Sequence, residues 1–202
     1  MSVAATTPKA ISESHTQERP FGWWGMLFFL ASETFFFANL IAAFLYTFVR
    51  NGAHLEGATE PDFVLASINT CFLLASSGTI MLASRAMNRG NMGAFKLFLG
   101  LTALLGAIFL SGQAWEYVHA SFKPQSNVFG SFFYIMTGFH GFHVTAGVVF
   151  LLICFLAFAL RNKYTQHKHF SFIAAEMYWH FVDVVWVVLF SVIYVLPRIA
   201  GQ

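Results

Sequence analysis

Five stretches of this chain, residues 22–49, 63–87, 94–119, 129–160 and 170–196, are each longer than the roughly 20 apolar residues a helix needs to cross a bilayer core. That feature leaves little freedom. The hydrocarbon region holds no water, so backbone N–H and C=O groups must pair within the chain, and a helix pairs them without help from a neighbour. The expected fold is therefore all-α: a polytopic transmembrane bundle of five spans over 21–197, behind a polar tail, 1–20. Polar breaks separate the spans at Asn51-Gly52 and Pro61, Asn88 to Asn91, Lys123-Pro124, and Arg161 to His169. The fourth stretch exceeds the bilayer thickness and is expected to tilt or to project beyond it. Composition agrees, with 57% of residues hydrophobic and only 10% charged, against roughly 25% charged in a soluble domain. The tail shows no apolar run ending in a small-residue cleavage site, so the first span is expected to act as its own insertion signal.

Charge sets the direction of insertion. With the amino terminus in the cytoplasm, Lys9, Arg19, Arg85, Arg89, Lys96, Arg161, Lys163 and Lys168 lie inside and Arg50, Lys123 and Arg198 outside. That bias follows the positive-inside rule and places the carboxyl terminus in the periplasm or its equivalent. The formal net charge of +2 gives no basis for nucleic-acid binding. Cys71 and Cys154 fall within apolar stretches and read as small buried hydrophobes without a disulfide.

Ionisable residues inside the spans are the functional candidates, because a charge at the bilayer centre costs roughly 2.5–3.5 kcal/mol or more. Glu33 is expected near mid-bilayer, where it must be protonated, paired or turned to a polar cavity; its own segment, Ser32 to Ala38, offers no basic partner. His140 and His143 share a face of the fourth span, and Glu176, His180 and Asp183 share a face of the fifth, with Trp179 and Trp186, read as interface or lipid-related groups, beside them. Gly138, Gly141 and Gly147 would allow close backbone approach around the histidines. Three readings of these residues stand: a di-metal site, a bis-histidine haem anchor, or a hydrogen-bond network in which histidines and acids satisfy one another across helices. The network is favoured, because intramembrane ionisable groups usually pair with each other. Gln113, Trp115, Glu116, Tyr117 and His119 close the third span, where Trp and Tyr read as interface anchors and Glu116 as a group for a partner subunit or a lipid headgroup. No nucleophile elbow, P-loop, paired CxxC or dinucleotide fingerprint is present in the sequence, so the fingerprints of soluble enzymes are missing.

Four strings then carry a resemblance. Trp24-Gly25-Met26-Leu27-Phe28-Phe29-Leu30-Ala31-Ser32-Glu33, Gly112-Gln113-Ala114-Trp115-Glu116-Tyr117, Thr137-Gly138-Phe139-His140-Gly141-Phe142-His143-Val144 and Tyr178-Trp179-His180-Phe181-Val182-Asp183-Val184-Val185-Trp186 occur in that order. Together they resemble the subunit III family of cytochrome c oxidase, in the haem–copper oxidase superfamily, in its short five-helix bacterial form. The resemblance covers about Phe21 to Leu196. It implies a non-catalytic, non-redox subunit in a bacterial inner membrane, with no metal of its own and with haem and copper held by subunits I and II. It further implies bound phospholipid, and electron delivery through subunit II from cytochrome c or a membrane donor complex. Glu33 would be the buried carboxylate facing subunit I, and the chain would stabilise that subunit and support its proton uptake.

The resemblance weighs against metal or haem at His140, His143 and His180. His119 stands where many relatives carry a carboxylate nearby, which puts a role borrowed for that acid in doubt. A quinol-oxidising relative is the nearest rival; a haem-binding membrane anchor and a transporter are rivals of another class, the latter without the internal repeats expected of it. His167 and His169, titrating near neutrality at the inner surface, would buffer protons there. The topology is tested by reporter fusions: alkaline phosphatase fused after Gln202 is expected to be active and one inserted at residues 88–91 inactive, and the opposite pattern would invert the bundle.

Overall fold

Every apolar stretch is a helix, and the breaks between them have local causes. The computed structural model describes residues 21–50, 61–161 and 170–200. The tail with Lys9 and Arg19, the Asn51-Gly52 break, Lys163, Lys168 and the loop histidines His167 and His169 lie outside the described residues. The helices are α1 (Phe21–Arg50), α2 (Phe63–Asn88), α3 (Met92–His119), α4 (Val128–Arg161) and α5 (Phe170–Phe190). A π-helical turn, Ser191–Val195, leads on to a short α6 (Leu196–Ala200). All five long segments are apolar enough to cross a membrane.

α2 begins where the Asp62 side chain accepts hydrogen bonds from the Val64 and Leu65 amides at 3.0 and 3.1 Å. It ends in a Schellman turn: Asn91 N–H donates to Ala86 O and Gly90 N–H to Met87 O, with Gly90 at φ 72°. That left-handed position suits glycine, and the next residue, Asn91, caps α3 by accepting from Ala94 N–H at 3.1 Å. Two helices are thus folded back on each other through a very short connection, and α2 and α3 form the most extensive helix pair.

α2, α3, α4 and α5 close a four-helix ring, and α1 rests outside it against α4 and α5. The buried residues of α2 include Ala66, Asn69, Leu73, Ser76, Ile80, Ala83 and Met87. Those of α5 include Phe172, Ala175, Trp179, Val182, Trp186 and Leu189. Both runs alternate steps of three and four, the seam of antiparallel coiled-coil packing. Small residues on the α2 seam let the helices approach, as membrane bundles require in the absence of a hydrophobic drive between helices.

Trp179 is the point where the four ring helices meet. It is fully buried, and its indole N–H donates to the Ser76 hydroxyl of α2 at 2.9 Å. A Cβ added at Gly106 of α3 would lie 2.5 Å from its ring, and one added at Gly147 of α4 would lie 2.9 Å from it. Of the three glycines around the histidines, only Gly147 provides such close approach. A Cβ at Gly138 would meet nothing nearer than 3.7 Å, and one at Gly141 nothing within 4 Å.

Trp179 and Trp186, grouped in the sequence with interface or lipid-related residues, are therefore core side chains. Trp186 is also buried, with its N–H donating to Thr70 Oγ1 at 2.9 Å. Their large rings fill the ring interior because α2 offers a hydroxyl to each indole N–H, which hydrocarbon does not. Gly106→Ala or Gly147→Ala is expected to cost about 1–3 kcal/mol through overpacking. Gly78→Ala, where nothing lies within 4 Å, is expected to be neutral or slightly stabilising; thermal unfolding in detergent compares the three.

Candidate functional site

The polar residues inside the spans fall into separate groups. In the first, Glu33 of α1 meets His143 of α4, with Oε2 3.1 Å from Nε2. The other ring nitrogen of His143 lies 2.7 Å from the Phe139 carbonyl oxygen. A carbonyl only accepts, so Nδ1 carries a proton and donates. Nε2 is left to meet the carboxyl, so each group has a partner inside the bundle. Such pairing is what makes an acid tolerable at this depth. The backbone carbonyl of His143 accepts from Tyr178 OH at 3.2 Å, and Phe37 places its ring 5.0 Å from the imidazole.

The second group is a ladder between α2 and α5. Thr70, Ser77 and Ser84 ascend α2 while their partners Trp186, Asp183 and Glu176 descend α5, and Ser76 beside them takes Trp179. His180 Nδ1 lies 3.3 Å from Ser77 Oγ, and the Ser77 hydroxyl donates to Asp183 Oδ2. Ser77 therefore accepts from a protonated Nδ1, and the order of donation runs His180 to Ser77 to Asp183. Ser84 donates to Glu176 at 3.1 Å.

Glu116 heads a third group. It is turned into the bundle, where Tyr194 OH donates to its two oxygens at 3.1 and 3.0 Å and Gln113 Nε2 to one of them at 3.3 Å. The π-helical turn supplies Tyr194. Pro197 has no N–H to give the Ile193 carbonyl and its ring would clash with that group. The helix widens just before it, with Leu196 N–H donating to Ser191 O. Glu116 and Asp62 also line a cavity of about 170 Å³ together with Trp115 and His119. Tyr117 OH bonds Thr137 Oγ1 at 2.7 Å, so of the trio read as interface groups only Trp115 is strongly exposed, stacked on His119 at 4.1 Å.

The structure does not gather His140 and His143 with Glu176, His180 and Asp183. His140 is fully buried, stacked on Trp186 at 4.8 Å with Phe109 edge-on at 5.8 Å, and neither ring nitrogen has a partner among the described residues. The reason for the separation is that the α4–α5 contact is occupied by large aromatic rings, and the acids of α5 face α2. Among the described residues no three His, Cys, Asp or Glu side chains converge as metal ligands would. The hydroxyls of α2 and Tyr194 went unassigned in the sequence. A signal was there: Thr70, Ser77 and Ser84 recur every seven residues on one face.

The model of the family described as cytochrome c oxidase subunit III matches residues 6–197. This chain belongs to that family. It is 37% identical over 193 residues to cytochrome c oxidase subunit 3 of Thermostichus vulcanus, covering 94% of each chain. It is 38% identical to the Synechocystis sp. protein of the same name, covering 85% of this chain and 74% of that one. To the Anopheles gambiae protein it is 42% identical, covering 85% of this chain and 68% of that one. The chain is thus a multi-pass membrane subunit of a multi-subunit oxidoreductase complex, cytochrome c oxidase, and the quinol-oxidising reading is not favoured. The Glu33–His143 contact makes a test. Glu33→Gln keeps a hydrogen-bonding group and is expected to cost little, whereas Glu33→Leu strands His143 Nε2 and is expected to cost about 1–3 kcal/mol in detergent unfolding.

Proposed function

We propose that this chain is the non-redox, non-catalytic subunit III of a proton-pumping cytochrome c oxidase in a bacterial inner membrane. It packs against subunit I, which holds the haems, beside subunit II, which holds copper and takes electrons from cytochrome c or a membrane donor complex. The chain itself holds no haem or metal; it stabilises subunit I, binds phospholipid and supports proton uptake. The observation that carries this reading is how its intramembrane acids are used. Glu33 is tied to His143, and Glu116, Glu176 and Asp183 accept from Tyr194, Ser84 and Ser77. Acids and imidazoles committed to neighbouring helices in this way brace a bundle. Arg85, Arg89 and Lys96, close together around the α2–α3 turn, suit the anionic headgroups of the inner leaflet.

A tagged chain purified in mild detergent is expected to bring a haem-bearing subunit and a subunit with a dinuclear copper site. Glu33→Gln is expected to leave the haem content of that complex unchanged. Loss of haem with that substitution, or a companion subunit without dinuclear copper, would contradict the reading.

A further inference from the structure

The cavity of about 170 Å³ beside Glu116 opens between the start of α2 and the end of α3, at the opposite end of these helices from the α2–α3 turn. Glu116 and Phe133 are buried on its deep side, while Asp62, Trp115 and His119 are exposed on its open side. An apolar void of about 150 Å³ holds benzene, so this cavity has room for a group of that size or slightly larger.

Its lining is rich in acceptors and poor in donors. Asp62 gives one oxygen to the Val64 and Leu65 amides and keeps the other. Glu116 takes one hydrogen from Tyr194, between its two oxygens, and one from Gln113; an ionised carboxyl has about four acceptor positions, so capacity remains. His119 Nδ1 lies 2.9 Å from the Trp115 carbonyl oxygen, so Nδ1 donates and the neutral imidazole keeps Nε2 as a further acceptor. Among the described residues the lining holds no Lys or Arg, and its side-chain donors are the uncharged Trp115 indole and Ser121 hydroxyl. Two ionised carboxyl groups on one cavity repel each other unless a positive charge joins them. Asp62, Glu116 and His119 do not converge as metal ligands would. The rings of Trp115, Phe122 and Phe133 complete the wall, and aromatic faces attract organic cations.

We infer that this cavity binds a small organic ammonium, a protonated amine on a compact apolar body. Its charge meets the carboxyl groups of Glu116 and Asp62, and its body lies against Trp115, Phe122 and Phe133. A calcium ion wants roughly six to eight oxygen ligands and would leave the rings unused. A neutral molecule would fill the space and leave the two acids opposed. The ammonium answers both the acids and the rings.

The test uses the assembled oxidase in phosphatidylglycerol nanodiscs at about pH 8, where an imidazole is neutral and an alkylamine protonated. The probe is para-fluorobenzylamine, followed by fluorine NMR, with para-fluorobenzyl alcohol as its uncharged counterpart. The expected result is saturable binding of the amine, none of the alcohol, and affinity about tenfold weaker after Glu116→Gln. That variant keeps an acceptor for Tyr194 and removes only the charge. Asp62→Asn, which still caps α2, is expected to weaken binding less, because Asp62 is exposed. Equal binding of amine and alcohol, no saturable binding, or unchanged affinity in Glu116→Gln would overturn the inference and leave membership in the oxidase untouched. Adding phosphatidylethanolamine to the nanodiscs assigns the source of the ammonium that the site takes. Loss of probe binding would point to a lipid headgroup, and undiminished binding to a soluble amine.

Discussion

The arrangement of the four ring helices depends on how one indole is held. Trp179 projects from α5 into notches left by Gly106 on α3 and Gly147 on α4, and its N–H is tied to Ser76 on α2. In lipid there is no hydrophobic gain in joining two apolar helices, so close packing and hydrogen bonds must supply the association. Trp179 supplies both, because its flat ring touches two backbones where they lack side chains and its polar edge reaches a third helix. Trp186, seven residues on, repeats the polar half of the device with Thr70. The heptad seams of α2 and α5 keep these contacts in register along both helices.

The same requirement, that each polar group be answered inside the bilayer, sorts the acids by neighbour. Glu33 lies on the helix outside the ring and finds its partner in His143. The acids of α5 are answered by serines of α2, which lets hydroxyls do what a cation would do in a soluble protein at a lower desolvation cost. Glu116 is answered by a tyrosine that reaches it from a widened turn. His140 stands apart, held by aromatic faces alone.

Much of this was legible in the sequence. Five apolar stretches and the polar breaks between them dictate five helices, since continuous apolar runs of this length satisfy their backbone groups in lipid as helices, not as the short alternating strands of a barrel. The motifs around Glu33, Glu116, His140 and Trp179 point to the family. The pairing of the intramembrane residues was not legible. Spacing shows that Glu176, His180 and Asp183 share a face of α5, but not which helix that face meets. The natural guess, α4, is wrong because its side of α5 is filled by Tyr178 and Trp186 against His140 and His143. Nor does the sequence show which of six tyrosines reaches Glu116. That depends on a register shift in the last helix, traceable to Pro197.

The account rests on the claim that hydrogen bonds between α5 and the hydroxyls of α2 hold the ring together. A double-mutant cycle on Trp179→Phe and Ser76→Ala, read by unfolding of the detergent-solubilised chain, tests it most directly. The account predicts a favourable coupling of about 0.6–1.7 kcal/mol, between the average and the largest value for interhelical hydrogen bonds in membranes. Strictly additive losses, within about 0.3 kcal/mol, would mean that the indole merely fills space, and would contradict it.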